Sequence, residues 1–266
     1  MRIAVCIKEI QNPELASSSF RVDEARKAVI PLDGLLVISP FDEQAIEAAL
    51  RIRDRLGAAQ ITLFTLGPKS SQGAIKRGLS MGADAGIVIA DSEFGPLDAF
   101  GTATILAHAI RRTGEFDLIL TGRQAADWDA GIVGCGIGEL LGLPVITFAR
   151  DVRIADGKVV VDRMLDDGWE TVETPPPCLI TVANELGEPR KATLRETMRA
   201  SKKPITQLDA ALLGLSPESL GSPALRLVRN RLFIPKKEST CEMFAGESAR
   251  EVAQRLVQRL TAAQLI

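Results

Sequence analysis

Few residues of this chain could do chemistry. It has one histidine, His108, and no tyrosine. Its four cysteines, Cys6, Cys135, Cys178 and Cys241, are far apart and form no C-x-x-C pair. A Ser-His-Asp triad or a histidine metal site would have to be built on His108 alone, which sits in the apolar stretch Thr104 to Ile110. A structural histidine and free buried thiols are the expectation. What remains is a set of loops. Gly122-Arg123-Gln124-Ala125-Ala126-Asp127-Trp128-Asp129-Ala130-Gly131-Ile132-Val133-Gly134 follows an apolar strand and enters a helix that carries Gly136 and Gly138. Glycines let a backbone approach a ligand, and the free N–H groups of a helix start can bind phosphate. The loop matches neither G-x-G-x-x-G nor a Walker A pattern. Close helix–strand packing accounts for the same glycines equally well. Ser39-Pro40-Phe41-Asp42 and Leu66-Gly67-Pro68 are two further loops of this kind.

The elements that hold these loops alternate strand and helix. Ile3 to Ile7, Ile61 to Leu66, Gly86 to Ala90 and Leu118 to Thr121 read as short apolar strands. Helices are expected over Pro40 to Leu56, from Pro68 to Met81, over Leu97 to Arg112 and over Ala130 to Leu141, stopped at Gly57, Gly82, Gly114 and Gly142. Ser39 and Asp42 have the spacing of a capping box. Apolar strands separated by helices indicate a buried parallel sheet covered on both faces. Ligands in such sheets bind beyond the carboxyl ends of the strands, where the strand order reverses. All three loops lie there.

After Val145 the pattern changes. Val152 to Ile154 and Lys158 to Asp162 alternate around Ala155-Asp156-Gly157, a hairpin signal. Glu170 to Thr174 and Leu179 to Val182 add strand. Thr193 and Glu196 have capping-box spacing for a helix from Leu194, made basic by Arg195, Arg199, Lys202 and Lys203. From Ile205 to Lys237 there is little periodicity, which suits an extended arm. Ser248 and Glu251 then cap a terminal helix with the apolar stripe Val252, Leu256, Val257 and Leu260. The division expected is an α/β domain over 1–204, including hairpin and basic helix, and an arm with its helix over 205–266.

Composition bounds the function. The chain has 266 residues, 46% hydrophobic, with 25% charged residues and a net charge of −2. No global field points to nucleic acid or an anionic membrane. No apolar run reaches the ~20 residues that cross a bilayer. The N-terminus opens directly as a strand with no signal-peptide pattern, so a cytoplasmic protein is expected.

One long stretch adds more. Asp166-Asp167-Gly168 is followed by the triple proline Pro175 to Pro177, the strand Cys178 to Val182, then Asn184-Glu185, Glu188-Pro189-Arg190 and Ala192-Thr193-Leu194. This order closely resembles the signature region of the β subunit of electron transfer flavoproteins. The loop order and the helix end Met81-Gly82-Ala83-Asp84 resemble that family too, over nearly the whole chain. The resemblance implies an α/β, doubly wound, mainly parallel sheet of the adenine nucleotide α-hydrolase-like type, with a β-hairpin extension and a C-terminal arm. It implies an electron carrier rather than an enzyme with bond-making chemistry. Its partner is an α subunit with which it shares an FAD. Electrons arrive from flavin-dependent dehydrogenases and leave to another acceptor, often a membrane quinone oxidoreductase. The β subunit holds AMP or, in electron-bifurcating members, a second FAD. The matching positions are Cys6, Ser39, Pro40, Phe41, Asp42, Leu66, Gly122, Arg123, Gln124, Ala125, Ala126, Asp127, Trp128, Asp129, Ala130, Gly131, Ile132 and Val133. Val133-Gly134 is similar to bifurcating members, whereas Ala130 and Ile132 replace the hydroxyl and amide residues expected there, so the β ligand stays open. The segment from Ala192 to Lys203 matches the loop that docks dehydrogenases, with Leu194 as anchor and Arg195 and Arg199 beside it. Two other classes fit the sequence less well. A stand-alone adenine-nucleotide module of the universal stress type would need neither signature nor arm. An adenylating pyrophosphatase needs a Ser-Gly-Gly loop where this chain has Lys8-Glu9-Ile10-Gln11-Asn12.

Overall fold

The computed structural model describes residues 1–32, 35–216, 225–235, 241–246 and 248–266. The elements begin with β1 (Arg2–Cys6), β2 (Glu9–Gln11), β3 (Val22–Asp23), β4 (Ala28–Val29), β5 (Leu36–Ile38) and α1 (Pro40–Leu56). They continue with β6 (Gln60–Leu66), α2 (Gln72–Met81), β7 (Ala85–Ile89), α3 (Ala99–Thr113), β8 (Leu118–Gly122) and α4 (Val133–Leu141). The hairpin strands are β9 (Val145–Ala155), β10 (Lys158–Leu165) and β11 (Gly168–Thr174), followed by β12 (Cys178–Val182). Then come α5 (Leu194–Ala200), β13 (Ile205–Leu208), α6 (Ala210–Leu213) and α7 (Ala249–Ala262).

Among the described residues, one sheet of nine strands runs in the order β11-β10-β9-β12-β8-β1-β6-β7-β13. From β9 to β13 all neighbours are parallel, and β10 and β11 add an antiparallel edge. Alternate residues of each strand face opposite layers. Ile3 and Val5 of β1 join Ile46, Leu50 and Leu79 in one core, beneath α1 and α2. Ala4 and Cys6 join Ile105, Phe116 and Ile137 in the other, beneath α3 and α4. The chain is therefore α/β with a large, mostly parallel sheet covered on both faces. After α1 it steps from β1 to β6 and β7; after α3 it crosses back to β8 on the other side of β1. The strand order reverses between β1 and β8.

Local signals mostly fold as read. Gly57 ends α1 in the left-handed region (φ 76°) and donates its N–H to the Arg53 carbonyl. Lys158 pairs with Ala155 across the expected hairpin, and Leu165 with Gly168 across the next turn. Three expectations change. The Ser39–Asp42 spacing makes no capping box: the first amides of α1, from Asp42 and Glu43, go to the Ser39 carbonyl at 2.8 and 3.0 Å, while both side chains bond elsewhere. Helix α4 starts at Val133, not Ala130, because Asp129 (φ 49°) and Gly131 (φ 64°) hold left-handed backbone that a helix cannot contain. Ile205 to Leu208, expected within the arm, is β13, and pairs with β7 from Gly86 to Ile89. Four residues are too short for periodicity to reveal. Residues 217–224, 236 and 237 of the expected arm lie outside the described residues. The side chain of Ser248 accepts from the Glu251 N–H to cap α7, and no residue of that helix is buried.

Candidate functional site

The reversal point opens into a cleft of about 1230 Å³ at the carboxyl ends of β1, β6, β7 and β8. Asp42, from the first turn of α1, forms its floor. Its carboxylate accepts the Lys8 N–H, past the end of β1, at 2.8 Å, and the Gly122 N–H, at the end of β8, at 3.0 Å. One side chain thus ties together the two strands that flank the reversal. Burial pushes the Asp42 carboxyl up to about 7, against the two N–H groups and the Lys8 charge, which favour ionisation. Above it, Lys8 Nζ pairs with Asp127 at 2.6 Å, a half-exposed pair that brings the 122–133 loop onto the end of β1. Ser39 Oγ accepts the Ala126 N–H at 3.3 Å from below.

The loop's glycines divide between the two readings. A side chain at Gly122 would meet Asp42 Oδ1 at 2.5 Å and the Phe41 backbone at 2.8 Å. One at Gly134 would meet Thr121 Oγ1 at 2.5 Å and Thr181 at 2.9 Å. These two glycines serve packing, of β8 on α1 and of α4 on β8 and β12. Gly131 meets only the Arg123 carbonyl, at 3.7 Å. It is needed for its left-handed φ, which turns the loop into the start of α4. Within the loop, the Trp128 and Asp129 N–H groups close on the Ala125 carbonyl, and Gln124 Nε2 donates to Asp129 Oδ1 at 2.7 Å. The Arg123 guanidinium lies between the Phe41 and Phe148 rings, 5.0 and 5.7 Å from their centroids.

Of the expected nucleotide residues, Cys6, Asp42, Leu66, Gly122 to Ala125, Trp128 and Ala130 to Val133 line the cleft. Ser39, Pro40, Phe41, Ala126, Asp127 and Asp129 stand behind or beside it. Sequence reasoning missed Lys8, the loop from Asp91 to Asp98 after β7, residues 26–28 of the β3–β4 turn, and Leu225 with 227–229. The Asp91 loop was open to discovery, since it also follows an apolar strand and carries Gly95-Pro96. Lys8 was open in the same way, at the end of the first apolar strand, and nothing local marks the others. An adenine nucleotide fits the lining: backbone N–H groups and a helix start for phosphate, Lys8 and Lys69 for charge, and apolar walls from Leu66, Leu106 and Ile132.

Cys6 is buried beside Asp42, and both burial and that carboxyl push its thiol well above the usual range. Cys178 is pushed up to about 12 by burial. Cys135 and Cys241, both expected buried, are half-buried and exposed. His108 hydrogen-bonds through Nδ1 to the Thr104 carbonyl, 2.9 Å away in its own helix. Among the described residues no group of His, Cys, Asp and Glu could hold a metal, and no helix is long and apolar enough to cross a membrane.

The basic helix lies apart from the cleft. Thr193 and Glu196 close the expected capping box around the start of α5. Just before it, Arg190 bonds Glu47 on α1 at 2.8 Å and Asp54 at 2.8 Å, and Arg51 holds the Leu186 carbonyl. Burial raises Glu47, but the Arg190 and Arg51 bonds outweigh it and hold the carboxyl below its ordinary value. From this fixed base, Leu194 stands 79% exposed, with Arg195 and Arg199 exposed beside it.

Comparison with known proteins gives one answer. The electron transfer flavoprotein domain matches residues 32–213. The chain is 35% identical, over the full length of both, to the caffeyl-CoA reductase–Etf complex subunit CarD of Acetobacterium woodii. It is 32% identical, again over the full length of both, to the electron transfer flavoprotein subunit beta of Megasphaera elsdenii. To protein FixA of Bradyrhizobium diazoefficiens it is 31% identical over 98% of this chain and 91% of that one.

Proposed function

This chain belongs to the electron transfer flavoprotein β-subunit and FixA family, and from that premise we propose that it is the β half of a heterodimer that carries electrons between flavin-dependent dehydrogenases and a downstream acceptor. The FAD that carries them is shared with an α subunit, and a bound flavin supplies one- and two-electron redox chemistry. This chain's own cleft holds an adenine nucleotide, and we favour a second FAD over AMP. The observation that carries this choice is size. At about 1230 Å³ the cleft exceeds the roughly 300–1,000 Å³ typical of small-ligand pockets. AMP would leave much of it to water.

In this reading the 122–133 loop and the start of α4 hold phosphate, Asp42 keeps the two central strand ends in register, and Leu66 and Ile132 shield the base. The basic helix α5 docks the dehydrogenase through Leu194, with Arg195 and Arg199 on its rim. The naming of one relative as part of a caffeyl-CoA reductase–Etf complex makes an acyl-CoA dehydrogenase or reductase the first partner to try. A quinone oxidoreductase is a candidate downstream acceptor. The terminal segment with α7, none of whose residues is buried, packs on the α subunit. The assembly works in the cytoplasm.

The test is co-expression with the α chain, followed by release and counting of nucleotides. Two FAD per heterodimer are expected. One FAD with one AMP would return the cleft to AMP, and a β chain that folds alone and holds the shared FAD tightly by itself would overturn the heterodimer.

A further inference from the structure

We propose that residues 225–229, which lie beyond the part of the chain that the family model matches, form a fourth wall of the nucleotide cleft: a strap that contacts the bound nucleotide and must lift before it can leave. The proposal rests on the nucleotide reading of the cleft given above.

Three anchors fix the strap across the cleft mouth. The first is Asp98, at the start of α3. Its carboxylate accepts the Gly101 N–H as a helix cap, and also the Arg226 and Leu227 N–H groups at 2.7 and 2.9 Å. Burial raises this carboxyl, but the N–H donors outweigh it and leave it below the ordinary value. The bonds therefore stay charge-assisted at neutral pH. The second anchor is Arg226, whose guanidinium lies 3.4 Å from the centroid of the Phe100 ring. The third is Arg229. Its guanidinium stacks on Trp128 of the 122–133 loop, 4.0 Å from the centroid, and donates to the Lys27 carbonyl at 2.5 Å. The strap thus joins α3, the nucleotide loop and the β3–β4 turn, three cleft-lining segments that have no covalent reason to stay together.

The strap's own side chains point to a ligand. Leu227 and Val228 line the cleft yet are 63% and 72% exposed. Two adjacent apolar side chains at the mouth of a cleft gain by being covered. The planar ring of a nucleotide lying beneath would cover them. Arg229 brings a positive charge to the same rim, beside Lys27 and Arg26, which suits the phosphates. The chemistry that fits is a flat ring with an anionic tail.

The experiment uses the heterodimer with the α chain, loaded with FAD. At intervals after a chase with excess AMP, protein is desalted and the FAD left in each subunit is counted by chromatography. Should the β site prove to hold AMP, AMP is loaded and chased by FAD. Arg229→Ala removes both the stack and the Lys27 bond. It should speed release from the β site about tenfold, from the loss of one exposed cation–π contact and one hydrogen bond, while the α-held FAD stays. Arg226→Ala keeps both Asp98 bonds and should speed release about threefold. Hydrogen exchange at the Arg226 and Leu227 amides should slow when the site is filled. Unchanged release in both variants, or equal amide exchange with and without nucleotide, would overturn the strap while leaving the nucleotide site intact. If Arg229→Ala does not assemble, Arg226→Ala and the amide exchange decide alone. Wild-type heterodimer with neither FAD nor AMP in β would overturn the nucleotide site, and the strap with it.

Discussion

Asp42 and Leu194 mark two regions that treat a costly group in opposite ways. Asp42 is a carboxylate with only 6% exposure, and the chain answers it from within, through amides 34 and 80 residues away. Leu194 is a large apolar side chain left 79% in water, on a helix whose start is fixed by a capping box and whose approach is pinned by Arg190 on Glu47. At the cleft the protein completes itself, which holds the strand ends rigid around a small ligand. At α5 the base is rigid and the tip is bare, which suits a surface completed by another protein. If that contrast is real, damage at the cleft should appear in stability first, and damage at α5 in partner binding alone.

The largest effect is expected from Asp42→Ala. It strands the Lys8 and Gly122 amides, and a buried unsatisfied group costs about 1–3 kcal/mol each. The expected loss is therefore about 2–6 kcal/mol, a fall in Tm on the order of 10 °C for a chain of this size. An unchanged melting temperature would break the comparison at its stronger end. The same residue gives a pH test. Its carboxyl titrates near 7 when folded and near the ordinary ~4 when unfolded. The folded state thus keeps a proton that the unfolded chain loses, so its stabilising contribution is full below about pH 4 and is lost as pH rises through 7. Asp42→Asn cannot titrate. The stability of wild type relative to Asp42→Asn should decline from about pH 4 to about pH 7 and then level off, and a flat curve above about pH 5 would show the carboxyl to be ionised throughout.

Next in size is Leu194→Ala. Because the side chain is exposed, melting should not move, and flavin content should hold. Truncating a central docking anchor costs about 2 kcal/mol, on the order of thirtyfold in affinity. Partner-linked electron transfer and a melting curve on the same variant check this. A large fall in Tm would give Leu194 a packing role and erase its contrast with Asp42.

Gly131→Val sharpens the cleft side. Space is not the obstacle, since only the Arg123 carbonyl approaches, at 3.7 Å. The left-handed φ is, and it costs a β-branched residue about 1–2 kcal/mol. The loop should relax away from its turn into α4, and nucleotide content should fall together with a drop of a few degrees in Tm. Full nucleotide content in the variant would remove this loop from the site.

The limits of sequence reading show in two identical spacings. Thr193–Glu196 and Ser39–Asp42 both look like capping boxes, and only the first is one. Thr193 and Glu196 have no better partners, so the local motif wins. Asp42 is offered the amides of Lys8 and Gly122, brought beside it by the sheet, and that choice depends on contacts no window of sequence contains. The same division runs through the molecule. Gly57, the Ala155–Lys158 turn and the alternation of apolar strands are local and legible. β13 is legible only once β7 supplies an edge for it, and the 225–229 strap only once Asp98 and Trp128 stand near each other. Three of the cleft loops are legible because ligands gather at strand ends in such sheets, a rule of topology, while their residue-by-residue assignment comes from the family resemblance. Lys8, just past the end of β1, falls under that rule and was overlooked, whereas the strap obeys no such rule.

The smallest effect belongs to the rim of α5. Arg195 and Arg199 are exposed, and neither is held in an ion pair among the described residues. Such charges act mainly on the encounter between partners, by steering an oppositely charged surface before contact. Arg195→Gln with Arg199→Gln should leave melting, flavin content and the dissociation rate close to wild type. The association rate with the dehydrogenase should fall several-fold at low salt. The gap should close as ionic strength passes about 0.15 M, where the Debye length shrinks to about 8 Å. Stopped-flow association at graded salt reads this directly. A loss that persists unchanged at high salt would mean the arginines make short-range contacts like Leu194's. The bare tip of α5 would then be one continuous binding surface rather than an anchor with a steering rim.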